Sequence, residues 1–207
     1  MKIVVFDIGR VMIDLADGWS GACKLAGVTL HAVDYSPTKA VEFAEQVDIF
    51  EIGNISADEF FTQMATLHDN SYTIAELQRV YGSIIQGEYS GIREFIQELK
   101  DDGRRTACLS NTSAFHWPVL TDPARYPGIA MLDAQYASFL LRVRKPDLEI
   151  YRLFEELAGV AAEDILFFDD LLKNIDAAQA AGWRAVQIMP DTPSVQQMRR
   201  AVGLLTV

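Results

Sequence analysis

Short apolar runs alternate with amphipathic stretches along most of the chain. Five runs read as strands: residues 2–6, 105–109, 134–137, 165–168 and 184–188. Several are nearly continuous in apolar residues, as in strands covered on both faces. Between them lie helical stripes. Ile92, Phe95, Ile96 and Leu99 recur at i, i+3, i+4 and i+7, with Ser90 available as an N-cap. Leu148, Tyr151, Phe154 and Leu157 or Ala158 make a second stripe, and a third helix over 172–181 stops at Gly182. This order predicts an α/β fold: a parallel sheet between two helical layers.

Residues 15–88 break the alternation. They show helical segments and no convincing strand. "SPTKAVEFAEQVDIF" places Ser36 as cap and Pro37 at the first helical position. "SADEFFTQM" opens on a capping box of Ser56 and Glu59, and "TIAELQRVYGSII" follows. The expected division is a core domain of residues 1–14 and 89–207, with a helical cap domain of 15–88 inserted after the first strand, above the sheet edge.

Composition narrows the function. Of 207 residues, 50% are hydrophobic and 23% are charged, as in an ordinary globular protein. The net charge of −11 repels phosphate backbones, so nucleic acid is not an expected partner. A small anionic substrate needs a local cation. The two cysteines, Cys23 and Cys108, suggest neither a disulfide framework nor a thiolate metal site. No signal-peptide pattern and no long apolar stretch stand out, so no membrane association is expected and the location is expected to be cytoplasmic.

Four polar clusters follow the predicted strands or precede helices. They are Asp7 after "IVVF", Ser110–Thr112 after "TACL", Lys145 in "RKPD", and Asp169–Asp170 after "ILFF". Singly, each reads equally well as a turn, a helix cap or a solvated charge. Together they converge, because open parallel sheets build their sites at the carboxyl ends of strands. Three carboxylates at one edge repel one another, and one lysine does not neutralise them. Oxygen ligands of this kind suit Mg²⁺. Carboxylates, a hard cation, a lysine and a hydroxyl together suggest phosphoryl transfer.

"FDIGRVMID", "LSNTS", "RKPDLEIY" and "FFDDLLKNIDAA" resemble the four ordered motifs of the haloacid dehalogenase-like (HAD) superfamily. "FEIGNISADEFF" and "LSNTSAFH" further resemble its bacterial branch of α-D-glucose-1-phosphate phosphatases. The resemblance covers the whole chain. It implies a three-layer Rossmann-like core with a helical cap, and a Mg²⁺-dependent phosphatase of small phosphorylated metabolites, sugar phosphates favoured. Asp7 is then nucleophile and metal ligand. The Gly9 carbonyl and Asp170 complete the metal set. Ser110 and the Asn111 backbone bind phosphate, and Lys145 bridges phosphate and Asp7. Asp169 and Asn174 form an outer layer that orients Lys145 or metal-bound water. His116 matches a histidine of that branch and is a candidate substrate contact and proton donor. His31 and His68 are expected at the surface, and Arg10 either reaches phosphate or is solvated.

Two positions depart from the motifs. Most phosphatases of the superfamily carry an aspartate two residues after the nucleophile, as general acid and base; Gly9 stands there, as it tends to in the glucose-1-phosphatase branch. A glycine usually stands three residues before the motif lysine; Arg142 takes its place. Two other readings remain open: a 2-haloacid dehalogenase-type hydrolase, which uses an aspartate nucleophile without metal, and a non-catalytic binding protein.

Overall fold

The computed structural model describes residues 1–31 and 36–204. Five parallel strands form the central sheet in the order β5-β4-β1-β6-β7. They are β1 (Ile3–Phe6), β4 (Arg105–Ser110), β5 (Ala134–Ala137), β6 (Ile165–Asp169) and β7 (Arg184–Gln187). Side chains alternate between faces along each strand, which divides every apolar run between two cores. Val4, Phe6, Cys108, Leu166 and Phe168 meet helices Ile92–Asp101 and Ser194–Ala201 on one face. Ile3, Val5, Ala107, Leu109, Ile165 and Phe167 meet helices Leu148–Ala158 and Leu172–Ala180 on the other. This is the expected three-layer α/β arrangement.

Both flanking strands of the site run one residue beyond the apolar pattern. Ser110 pairs with Ala137, and Asp169 pairs with Gln187. Ladder hydrogen bonding, which the hydrophobic pattern does not report, sets those ends. The N-cap of helix Ile92–Asp101 also differs from expectation. Gly91, at φ 86°, holds the position with no side-chain cap, and Ser90 does not serve. A glycine takes this left-handed turn without the steric cost Ser90 would meet there.

Residues 15–88 do contain a strand, contrary to the sequence reading. Ile85–Glu88 (β3) pairs antiparallel with Ile13–Leu15 (β2) in a two-stranded ribbon. Strands of four and three residues, one carrying Gly87, are too short for a two-residue period to stand out. Among the described residues, four helices lie between the ribbon strands: Gly18–Ala26, Pro37–Glu51, Ala57–Leu67 and Ile74–Gly82. Ser36 caps the second, and the Ser56–Glu59 capping box opens the third. They pack around a separate apolar cluster that includes Phe50, Phe60, Phe61, Leu77 and Val80. His68 belongs inside this cluster and not at the surface. It is 2% exposed, stacked on Trp19 and edged by Tyr72. Among the described residues, no helix is long and apolar enough to cross a membrane.

Candidate active site

The parity of β1 and β6 aims the acidic residues. Ile3 and Val5 face the core of Tyr151 and Phe167, and Asp7 is the next position on that side. Its N–H donates to the Phe168 carbonyl at 2.8 Å, so the ladder continues to the tip. Ile165, Phe167 and Asp169 share the same face by the same count. Lys145 enters between them. Its ammonium lies 2.7 Å from Asp169 Oδ2, 3.0 Å from Asp7 Oδ1 and 5.2 Å from the Phe167 ring centre.

Lys145 is 1% exposed, so its charge survives only because it is paired. Burial pulls its pKa down, but Asp169 and Asp7 outweigh that and hold it above the ordinary lysine value. Asp169, fully buried, has both oxygens occupied. Besides Lys145 it accepts from the Leu171 N–H at 2.8 Å and from Asn174 Nδ2 at 3.0 Å. The loop carrying Lys145 is held by Asn111. Asn111 donates from Nδ2 to the Lys145 carbonyl and its Oδ1 accepts the Lys145 N–H, both at 2.9 Å. These two bonds hold the side chain of Asn111 on the lysine loop, and its backbone is the part expected at phosphate.

Among the described residues, Asp7, Asp169 and Asp170 bring carboxylate oxygens within 4.8 Å of one another. Two like charges at that separation repel by roughly 3 kcal/mol at an effective dielectric constant of about 20. Burial raises the Asp7 pKa, Lys145 opposes the rise, and Asp169 and Asp170 add to it. Burial and Asp169 raise Asp170 as well. One lysine against three acids leaves excess negative charge, and the donors are all hard oxygens. That donor set fits a divalent cation such as Mg²⁺.

Above these residues opens a cleft of ≈ 430 Å³. Asp7, Gly9, Ser110, Asn111, Asp170 and Asn174 are at its base, so the structure gathers the sequence-predicted residues at one place; Asp169 and Lys145 lie directly beneath. His116 also borders the cleft, but not as a poised proton donor. Its Nε2 lies 2.8 Å from the Tyr81 carbonyl oxygen, and its ring stacks on Tyr81 at 4.5 Å. A carbonyl only accepts, so Nε2–H donates to it. Burial lowers the imidazole pKa, which keeps the ring neutral. Arg10 is exposed at the rim, where its charge offsets that of Asp170. Trp19 and Trp117 pack against aromatic neighbours and are not part of the cleft lining.

Arg142 explains its own departure from the motif. It adopts φ 60°, the left-handed conformation that glycine favours, so the expected glycine and the observed arginine serve the same backbone turn. Its guanidinium donates to the Gly53 carbonyl at the end of the helical segment. Two further residues escaped the sequence reading. Arg144 pairs with Asp48 and with Glu51 at 2.8 Å, and Arg144 and Glu51 both line the cleft. Arg144 was visible as the neighbour of Lys145. Glu51 carried no signal, because only the tertiary fold brings that helix end to the lysine loop.

Residues 1–182 match the model of the haloacid dehalogenase-like hydrolase family. A sesquiterpene phosphatase of Aspergillus oryzae is 26% identical over 204 residues, 98% of this chain and 97% of that one. A HAD family enzyme of Bacteroides thetaiotaomicron superposes with TM-score 0.79 at 19% identity, over 96% of this chain and 98% of that one. The same enzyme, solved with magnesium and inorganic phosphate, matches with TM-score 0.72 at 18% identity over 93% and 96%. An L-2-haloacid dehalogenase of Xanthobacter autotrophicus matches with TM-score 0.64 at 17% identity over 100% and 85%. The structural likenesses show a shared fold. The match to the family model covers most of the sequence, and the chain belongs to the haloacid dehalogenase-like hydrolases.

Proposed function

We propose that this protein is a Mg²⁺-dependent phosphomonoesterase working through an aspartyl phosphate on Asp7. The single observation that carries the reading is the cluster of Asp7, Asp169 and Asp170 around one buried ammonium. A dehalogenase without metal has no use for Asp170 beside two other carboxylates, and their repulsion would go uncompensated. Relatives named as phosphatases support the same reading.

In this scheme Lys145 orients Asp7 through one carboxylate oxygen and favours its ionised form against the effect of burial. The other oxygen attacks phosphorus, and the bond from phosphorus to the ester oxygen breaks, the departing alkoxide taking its proton from water. Ser110 and the Asn111 backbone hold the phosphoryl oxygens. Asp7, Asp170 and the Gly9 carbonyl would hold Mg²⁺, which supplies charge compensation to the phosphoryl group when bound. Water then attacks the phosphorus of the acyl phosphate, which releases inorganic phosphate and restores the Asp7 carboxylate. Asp169 and Asn174 act one layer out, by fixing Lys145. The helical segment over the cleft acts as a cap. With Gly9 in place, no carboxylic acid two residues beyond Asp7 is available to protonate the leaving oxygen.

A sugar leaving group has thinner support. It rests on two stretches of the glucose-1-phosphatase kind, whose residues have other work. Ser56 and Glu59 cap a helix, Phe60 and Phe61 fill a core, and His116 is tied to Tyr81.

The test is hydrolysis of p-nitrophenyl phosphate and of L-2-chloropropionate, each with Mg²⁺ and with EDTA. The reading expects Mg²⁺-dependent phosphate release and no chloride. Metal-independent chloride release would replace it with the dehalogenase reaction, and no turnover of either would favour a binding protein.

A further inference from the structure

We infer that the group esterified to phosphate is an apolar alcohol, held by a hydrocarbon wall that the helical segment and the β2–β3 ribbon build over Asp7. The inference rests on the phosphatase reading above and names its substrate class.

The cleft has two unlike halves. Its base, at the strand tips, is polar. Its upper walls are Ile13 and Leu15 from β2, Val47 from helix Pro37–Glu51, Ile84 and Ile85 at the start of β3, and Leu120. Leu15, Val47 and Ile84 are only half-buried, so they keep apolar surface for an occupant. Ligand clefts of this volume generally combine an apolar lining with a few placed polar groups, and here the polar groups stand where phosphate goes.

Of the polar side chains higher in the cleft, Glu51, Arg144 and His116 already have partners, and Arg144 Nε is left over. Glu51 and Arg144 face each other at 2.8 Å, and Arg144 also binds Asp48. The His116 Nε2 proton goes to the Tyr81 carbonyl. A sugar ring would bring several hydroxyls against this lining and find few free partners, whereas a hydrocarbon chain loses nothing there. Leu15 adds a second, independent point. A Cβ at Gly9 would lie 3.0 Å from Leu15 Cδ1, so hydrocarbon stands at the place where an acid would approach the leaving oxygen.

The test compares kcat/KM, with Mg²⁺, for hexyl phosphate, glucose 6-phosphate and acetyl phosphate. Acetyl phosphate is too small to need the wall. It reports the phosphoryl chemistry alone. A hydrophobic site discriminates against an added hydroxyl by up to about 10²-fold, so hexyl phosphate should exceed glucose 6-phosphate, which also leaves as a primary alkoxide, by at least about 10-fold. The ratio of hexyl to acetyl phosphate should fall about 10-fold in Val47→Asn and in Leu15→Asn. Glucose 6-phosphate outpacing hexyl phosphate, with acetyl phosphate turned over, would overturn the inference and leave the phosphatase standing. An unchanged ratio in both folded variants would also overturn it. No hydrolysis of acetyl phosphate would sink the phosphatase reading itself. The wild-type comparison decides the matter even if a variant fails to fold.

Discussion

Leu15 packs over Gly9 so closely that a Cβ on Gly9 would come within 3.0 Å of Leu15 Cδ1. The leucine side chain has a flexible end, so Gly9→Asp is accommodated only if Leu15 swings away. A positioned general acid contributes about 10²–10⁴-fold. Wild type should therefore show a steep dependence of kcat/KM on leaving-group pKa across aryl and alkyl phosphates. Gly9→Asp combined with Leu15→Ala should flatten it. A flat wild-type profile, with chemistry rate-limiting, would mean that another group delivers the proton.

Asp169 and Asp170 are adjacent in sequence and opposite in consequence. Asp169 accepts from three donor groups in a dry site, and an amide there would turn an N–H₂ toward at least one of them. Asp169→Asn should lose roughly 2–4 kcal/mol in urea denaturation. Asp170 is half-buried and already disfavours its charge. Asp170→Asn should stay within about 1 kcal/mol of wild type without metal, yet lose most of the rise in Tm that Mg²⁺ gives wild type. Equal Mg²⁺ shifts in the two proteins would remove Asp170 from the ligand set.

At Arg142 two effects of similar size oppose. Glycine relieves about 1 kcal/mol of left-handed strain but gives up the hydrogen bond to Gly53, worth about the same. Arg142→Gly should be near neutral in denaturation. Arg142→Val, whose β-branched side chain adds to the strain while the bond is lost, should cost roughly 2 kcal/mol. Equal costs for the two variants would show that the backbone conformation is not the controlling feature.

His68 predicts an acid-side loss of stability that does not involve the active site. Burial, with Lys39 adding to it and Asp69 opposing, pushes its pKa down to about 4. The unfolded chain takes up a proton near the ordinary histidine value of about 6.5, and the folded protein does not until well below that. Its contribution is therefore complete above about pH 6.5 and falls away as pH drops toward 4. Wild type should lose roughly 1 kcal/mol more than His68→Phe between pH 7 and pH 5, read by urea denaturation at each pH. Parallel pH profiles would place the loss elsewhere.

The core sheet was legible because its strands carry nearly unbroken apolar runs and the helices carry clear stripes. The acidic cluster was legible because its members stand at the ends of such runs, and Lys145 because it stands in "RKPD" just before a helical stripe. What escaped has one physical cause: it depends on contacts distant in sequence. The β2–β3 ribbon pairs Leu15 with Ile85, and Glu51 meets Arg144 across 93 positions. His68 looked polar and exposed in sequence, yet three aromatic rings enclose it. Arg142 looked like a disrupted motif until its φ of 60° showed the turn intact.

The account turns on Asp7 as the group that takes the phosphoryl. The direct measurement is Mg²⁺-dependent phosphate release from p-nitrophenyl phosphate by wild type and by Asp7→Asn, with circular dichroism confirming that both are folded. The amide is close in shape and a poor nucleophile, and removing a nucleophile costs roughly 10³-fold or more. The account predicts that loss in kcat with the fold intact. Asp7→Asn turning over within about tenfold of wild type, in a preparation free of wild-type enzyme, would contradict it.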